Sequence, residues 1–353
     1  MRFQRLTLSS IVLAVLCTGL SAAGQQRGRV PLVITSTNDA AHNAVVVFRL
    51  NGGAAASLSW AETLQTGGQG GASGNAGIVQ FGDDLGAVAN YGSNTVTRLA
   101  RYRDSIFPAG TIHLATDCVK PDSVAIAANH LFVVGATCAE SHAWPAGYPD
   151  GSIVSLADAS AAQITAGRTW AAVTMTSGTV LQLPLNREGG ALSGSANALT
   201  LPDDANNTPL GAAFWGNVLG FTPAHSPDSF AVVNEDGSVH AMAGPTPSYP
   251  TNAPCWVAKG PKSVWYTGNT PGQAISIFFS DDQGGAFYKS VSLPGGPTDV
   301  AVSPDEKWLA VIYTAGGQAY VRVFSIDGYG NLTVAATSPA IGVASFSGVA
   351  FSE

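Results

Sequence analysis

From Pro297 onward the chain alternates short apolar, β-rich runs with turn residues. "TDVAVSP", "KWLAVIYT", "AYVRVFSID" and "NLTVAATSP" are separated by Pro304-Asp305, Ala315-Gly316-Gly317 and Asp327-Gly328. β-branched and aromatic residues at strand spacing, broken by residues that supply turn conformations, predict four consecutive strands in an antiparallel meander. One further strand then begins in "FSGVAFSE", and the chain stops. At the other end, "PLVITSTNDAAHNAVVVFRLNGGAAASLSWAETL" supplies three strands.

The meander recurs. Its first strands fall near Ile78, Val124, Ile164, Ala212, Val257 and Val300, a spacing of roughly 40 to 48 residues, which is the period of propeller blades. The copy at 209–242 is the least regular. Six blades therefore begin inside the chain, and the orphan C-terminal strand completes a seventh with the three N-terminal ones. The expected fold is all-β: a seven-bladed β-propeller of four-stranded antiparallel blades, closed by pairing of the N- and C-terminal segments. Without that pairing a strand edge and an apolar face would be left open. An open solenoid would need caps, and a pair of sandwiches would need no such period.

Residues 1–23 carry Arg2 and Arg5, an apolar run from Ile11 to Leu16, and small residues ending at Ala23. That layout predicts a cleaved secretory signal and is too short for a spanning helix. Residues 24–353 are then a single domain, secreted or periplasmic, with no membrane association after cleavage. Losing two arginines moves the formal charge from −7 to −9. With 11% charged residues and no basic cluster, the composition excludes nucleic acid as a partner. A monomer is expected. Of the remaining cysteines, Cys118 and Cys138 flank two adjacent strands and are expected to form a disulfide, leaving Cys255 free. A loop of about 20 residues closed this way contributes roughly 3 kcal/mol in the chain-entropy model.

Two stretches, "FGDDLGAVANYGSNTVTRLAR" and "GPTDVAVSPDEKWLAVIY…VRVFSIDGYGNL", share an order of features: polar pair, apolar strand, turn, "LAV"-type strand, short loop and "VxVFxID" strand. This order resembles the seven-bladed lactonase-like propellers, which include bacterial 6-phosphogluconolactonase and the fungal carboxymuconate-lactonising enzyme. The resemblance spans nearly all of the mature chain as a repeat and is motif-specific in blades two and seven. It implies hydrolysis or isomerisation of a small lactone or sugar acid, at a ring of polar residues where the innermost strands start. That ring includes histidine and arginine in the family. This sequence departs from it: "KPDSVAI" has Asp122 at the histidine position, "SAAQITA" has no arginine, and "GPTDVAV" keeps an acid at Asp299 with Thr298 in place of an arginine.

In a four-stranded blade, the loops before strand one and between strands two and three share a face. Asp122 and Asp299 are the candidate catalytic acids there, placed to act as a base or to bind a cation, since convergent acids near a low-dielectric channel raise each other's pKa. The alternative is that they cap backbone amides. Tyr91, Glu140, His142, Trp144 and Trp256 are the candidate ligand-binding side chains, with Tyr148 beside them in "CAESHAWPAGYPDG", read as a long loop of blade three. His42, His142 and His225 occupy equivalent loops, yet none has metal-ligand spacing, so no metal and no cofactor is expected. "GGQGGASG", 67–74, lacks the GK[ST] ending of a phosphate loop and reads as a flexible turn between blades. Asn206 and Asn331 head glycosylation sequons. Two functional classes follow: a secreted lactonase-like enzyme, or a non-catalytic propeller binding a small molecule or a protein at its channel face.

Overall fold

The computed structural model describes residues 29–353, except 54, 188–189, 228, 246–251, 282–283 and 344. Residues 1–23, the expected signal, lie outside them. The described chain forms seven antiparallel sheets. Each follows the four-strand order of a propeller blade, and the last gains a short extra strand, Gly342–Val343. The innermost strands are Val79–Gly82, Pro121–Ala127, Ala161–Ala166, Pro209–Trp215, Pro254–Lys259, Gly296–Val302 and, for blade one, Ser347–Ser352. All six blade starts expected from periodicity lie within one of these strands or directly beside it.

Closure follows the expected route. Ser347–Ser352 pairs antiparallel with Leu32–Ser36, matching Leu32 to Ser352 and Val33 to Phe351. The Thr35 hydroxyl donates to the Gly348 carbonyl at 2.7 Å. A second device holds the same seam. Arg101, on the third strand of blade two, is almost fully buried. Its guanidinium donates to the Val30 carbonyl at 2.7 Å, to the Arg103 carbonyl at 2.6 Å and to the Ser352 carbonyl. One side chain thus ties both terminal segments to the neighbouring blade.

Runs such as "LVITS" and "AVVVF" lack polar alternation because both faces of a blade are covered. Leu32 and Ile34 pack toward blade two with Ile78 and Val88, while Val33 packs toward blade seven with Ile312 and Val321. The core is therefore a series of apolar seams between blades rather than one central mass.

Strand direction sorts the connections onto two faces. Innermost strands start at the face called upper here and end at the lower one. Connections between blades and loops between second and third strands lie on the upper face. In blade three this overturns the reading of "CAESHAWPAGYPDG" as an upper loop. Cys138–Ala143 is itself the third strand, and the turn before it is only Ala136-Thr137. The segment 144–153 joins third to fourth strand on the lower face. The polar residues were misleading because they are paired within the sheet: His142 Nε2 meets Glu140 Oε1 at 2.7 Å, and Glu140 accepts from the Ala115 amide. The Cys118–Cys138 disulfide is present and Cys255 is free. The bridge ties the start of blade three to its third strand on the upper face and does not anchor the long loop.

Removing residues 345–353 should abolish the cooperative transition of the intact ring. Arg101→Ala should lower unfolding free energy by about 2–4 kcal/mol, because the buried Ser352 carbonyl and the partly buried contacts to Val30 and Arg103 lose a charged donor. Arg187→Ala, an exposed site, should change it by less than about 0.5 kcal/mol. Urea melts of the variants check this, and equal midpoints would refute the seam.

Candidate active site

The start of each innermost strand carries a recurrent irregularity. Pairing with the second strand shifts register between Pro121 and Ser123, Ala161 and Gln163, Pro209 and Ala212, Pro254 and Trp256, and Pro297 and Asp299. Blade one shows the same shift opposite Thr35 and Ser36. Each is a β-bulge, one extra residue that re-aims the side chains after it. The equivalent residues past the bulge are Ser123, Gln163, Trp256 and Asp299. Asp122 is instead the bulged residue, equivalent to Thr298 rather than to Asp299. A one-residue slip in a strand moves a side chain to the other face. The expectation that both acids reach the channel therefore holds only for Asp299, which lines the central cavity, whereas Asp122 does not.

Asp299 is buried and well supplied with donors. Its carboxylate accepts from the Val300 amide at 2.8 Å, from the Val349 amide at 3.2 Å and from the Gly77 amide. These donors favour the ionised form, yet burial outweighs them and pushes the carboxyl up to about 7. Burial also raises Asp122 to about 7, opposed by the charge of Lys120. The Asp122 carboxylate makes no hydrogen bond to any described residue. It sits at the upper face near Lys120, whose ammonium lies 5.7 Å from the Tyr91 ring centroid. Tyr91 and Asp122 thus share a neighbourhood outside the channel.

The channel has one sealed end. The connection from blade one to blade two, 66–77, folds over the upper mouth. Ala76 donates to the Ala162 carbonyl at 3.1 Å, the Asn75 carboxamide donates to the Asp122 carbonyl, and Trp256 Nε1 donates to the Asn75 carbonyl at 3.3 Å. Asn75 and Ala76 are buried, as is Trp256. Asn38 clamps the glycine-rich part, accepting from the amides of Gly71 and Ala72. This segment is an inter-blade connection, as expected, but a tied one rather than a free turn. Gly77 is required at its end: with φ of +71°, an added Cβ would stand 2.9 Å from Ser123 Oγ.

Below the seal, exposure rises along the strands. Pro121–Ala127 reads buried for five residues and half-buried for two, and Ala161–Ala166 and Pro209–Trp215 behave alike. The cavity, about 270 Å³, is thus a blind channel opening on the lower face. Asp299, Gln163 and Gly77 line it toward the sealed end. Gln80, Thr165, Phe214 and Lys259 line it toward the mouth. Gln163 Oε1 accepts from the Ala212 amide at 2.6 Å, and its amide nitrogen stands against Gly77, the residue whose backbone amide donates to Asp299. Pattern reading missed Gln163 and Lys259. The only signal for Gln163 was its place two residues after Ala161 in "SAAQITA", matching Asp299 in "GPTDVAV".

The other candidates scatter. His42 and His225 lie exposed in upper loops, as expected, with His225 Nδ1 at 3.0 Å from the Thr208 hydroxyl. His142 is not in an equivalent loop but buried on a strand with Glu140. Trp144 packs into the seam between blades two and three, and Tyr148 is exposed on the lower face. Cys118, Cys138 and Glu140 lie close enough to hold a metal, but both sulfurs are committed to the disulfide.

Raised carboxyls set the sign of a pH effect. Asp122 and Asp299 bind protons in the folded protein between about pH 4 and pH 7, where the unfolded chain has released them, so stability falls as pH rises through that window. The lowered acids, such as Asp327 and Asp236, act below it. Melting temperature should therefore be higher at pH 5 than at pH 8, by the equivalent of a few kcal/mol on the order of magnitude of one buried group. Asp299→Asn should flatten the slope, and a flat wild-type profile would refute the assignment.

No family model and no curated protein matches this chain. Solved structures do. A Bacteroides fragilis protein provisionally named a 6-phosphogluconolactonase superposes with TM-score 0.66 at 12% identity, covering 92% of this chain and 98% of that one. The Pseudomonas aeruginosa periplasmic gluconolactonase gives 0.64 at 16% identity, covering 92% and 99%. Virginiamycin B lyase from Staphylococcus aureus gives 0.59 at 14%, covering 79% and 92%. At these identities the likeness is one of fold, and the fold is a seven-bladed β-propeller.

Proposed function

We propose that the protein is a secreted or periplasmic hydrolase that opens a small lactone of a sugar-acid type inside the blind channel. The observation that carries this reading is Asp299, a carboxyl pushed up to about 7 by burial at the closed end of a cavity that Gln163 also lines. A group titrating near the working pH both takes and returns a proton efficiently. In the proposed reaction Asp299 removes a proton from water as its oxygen adds to the lactone carbonyl, and Gln163 donates a hydrogen bond to the carbonyl oxygen. The ring C–O bond then breaks, and the leaving oxygen takes the proton back from Asp299. The product is the open hydroxy acid. The periplasmic gluconolactonase neighbour and the disulfide support the location. No described helix is long and apolar enough to cross a membrane.

A second reading, a propeller that binds a small molecule or a protein without turnover, is favoured by a different observation. Three backbone donors already occupy Asp299, and Asn75 seals the upper mouth, so the acid has a structural task of its own.

The purified mature protein should hydrolyse members of a panel of γ- and δ-lactones in a pH-stat assay, with a rate rising through pH 7. Asp299→Asn should lower kcat by about 100-fold or more, the usual scale of general-base loss, while remaining folded by circular dichroism. Rates equal to buffer across the panel would decide for the binding reading.

A further inference from the structure

Lys259 ends the innermost strand of blade six and lines the open part of the channel. Its ammonium lies 4.8 Å from the ring centroid of Trp215 and 5.4 Å from that of Trp265. It donates to the Gly260 carbonyl at 2.5 Å and to the Lys262 carbonyl. Among the described residues it forms no ion pair. An amine walled by two indoles and left without a carboxylate is desolvated on one side, and burial holds it down to about 8, with Glu306 opposing the shift weakly. Trp215, at the lower rim, is 45% exposed, so the approach to this amine is open to solvent.

The rest of the channel indicates what would arrive there. Beyond Lys259 the lining carries hydroxyl and amide groups, Thr165, Gln80 and Gln163, and ends at Asp299, on apolar walls of Ala125, Val257 and Val300. Asp299 stands about three residues up the strand ladder from Lys259, roughly 10 Å at the usual rise. That length and the volume suit a chain of three or four carbons bearing hydroxyls.

We propose that Lys259 is a covalent capture site for small hydroxylated aldehydes, the open-chain form of a short aldose, entering from the lower face. The amine nitrogen adds to the aldehyde carbon. The carbinolamine then loses water, and the resulting imine is reversible by hydrolysis. The trailing hydroxyls hydrogen-bond with Thr165 and Gln80.

The test incubates the full mature protein with glyceraldehyde and cyanoborohydride at pH 7.5, then maps the reduced adducts by peptide mass spectrometry. Lys259 should be labelled at least about 10-fold faster than Lys307, whose ammonium is fully exposed and raised by Asp305, because far more of it is free amine at that pH. Propanal, which lacks hydroxyls, should label Lys259 more slowly than glyceraldehyde does. Lys259→Arg, which keeps a cation between the indoles, should lose the fast adduct and leave the others unchanged. The proposal falls if Lys259 is labelled no faster than Lys307, or if propanal equals glyceraldehyde. The wild-type map decides the matter even where the Arg variant folds poorly.

Discussion

The structure depends on one set of hydrogen bonds, those between Leu32–Ser36 and Ser347–Ser352. A propeller stores its apolar surface in seams between blades, so every blade needs a neighbour on both sides. Cutting the ring anywhere would expose two such faces, and the only covalent gap in the circle is at blade one. Several side chains converge on that gap. Arg101 holds both termini from blade two, and Asp299 accepts from the Val349 amide from the side of blade seven. The candidate catalytic acid is thus also part of the closure, which explains why a carboxyl that burial disfavours is nonetheless surrounded by backbone donors.

Closure also shapes the channel. Asp299 reaches the Gly77 amide past the Gly348 bulge, where a Cβ would crowd Ile78 and Val79. Gly77 ends the segment that seals the upper mouth, so the lock on the ring and the lid on the channel meet at one carboxylate. The lower mouth has no such cover, and Lys259 with its two indoles marks its rim. A ligand would enter against the direction that the upper-face ring of polar residues suggests, moving from an amine near the surface to an acid at the sealed end.

Much of this was legible in the residues because the relevant physics is local. Continuous apolar runs between turn residues located all six internal blades, since both faces of a blade are covered and each strand must be apolar on both. The orphan "SGVAFS" and the three N-terminal strands predicted their own pairing, because an unpaired edge is costly in water. The disulfide was legible from the positions of Cys118 and Cys138 relative to two strands.

What tertiary structure alone decided is where single side chains point. A bulge adds one residue without a compositional mark, so Asp122 and Asp299 looked equivalent while only Asp299 lines the channel. Glu140, Ser141 and His142 read as loop because polarity is ordinarily solvated, yet here hydrogen bonds to one another and to distant backbone satisfy them inside a sheet. The seal at the upper mouth joins Trp256 to Asn75 across 181 residues, and Lys259 meets Trp215 only because two blades stand side by side. Sequence determined the strands, their number and their closure through local periodicity. The channel's open end, its acid and its amine were set by contacts between segments that periodicity does not relate.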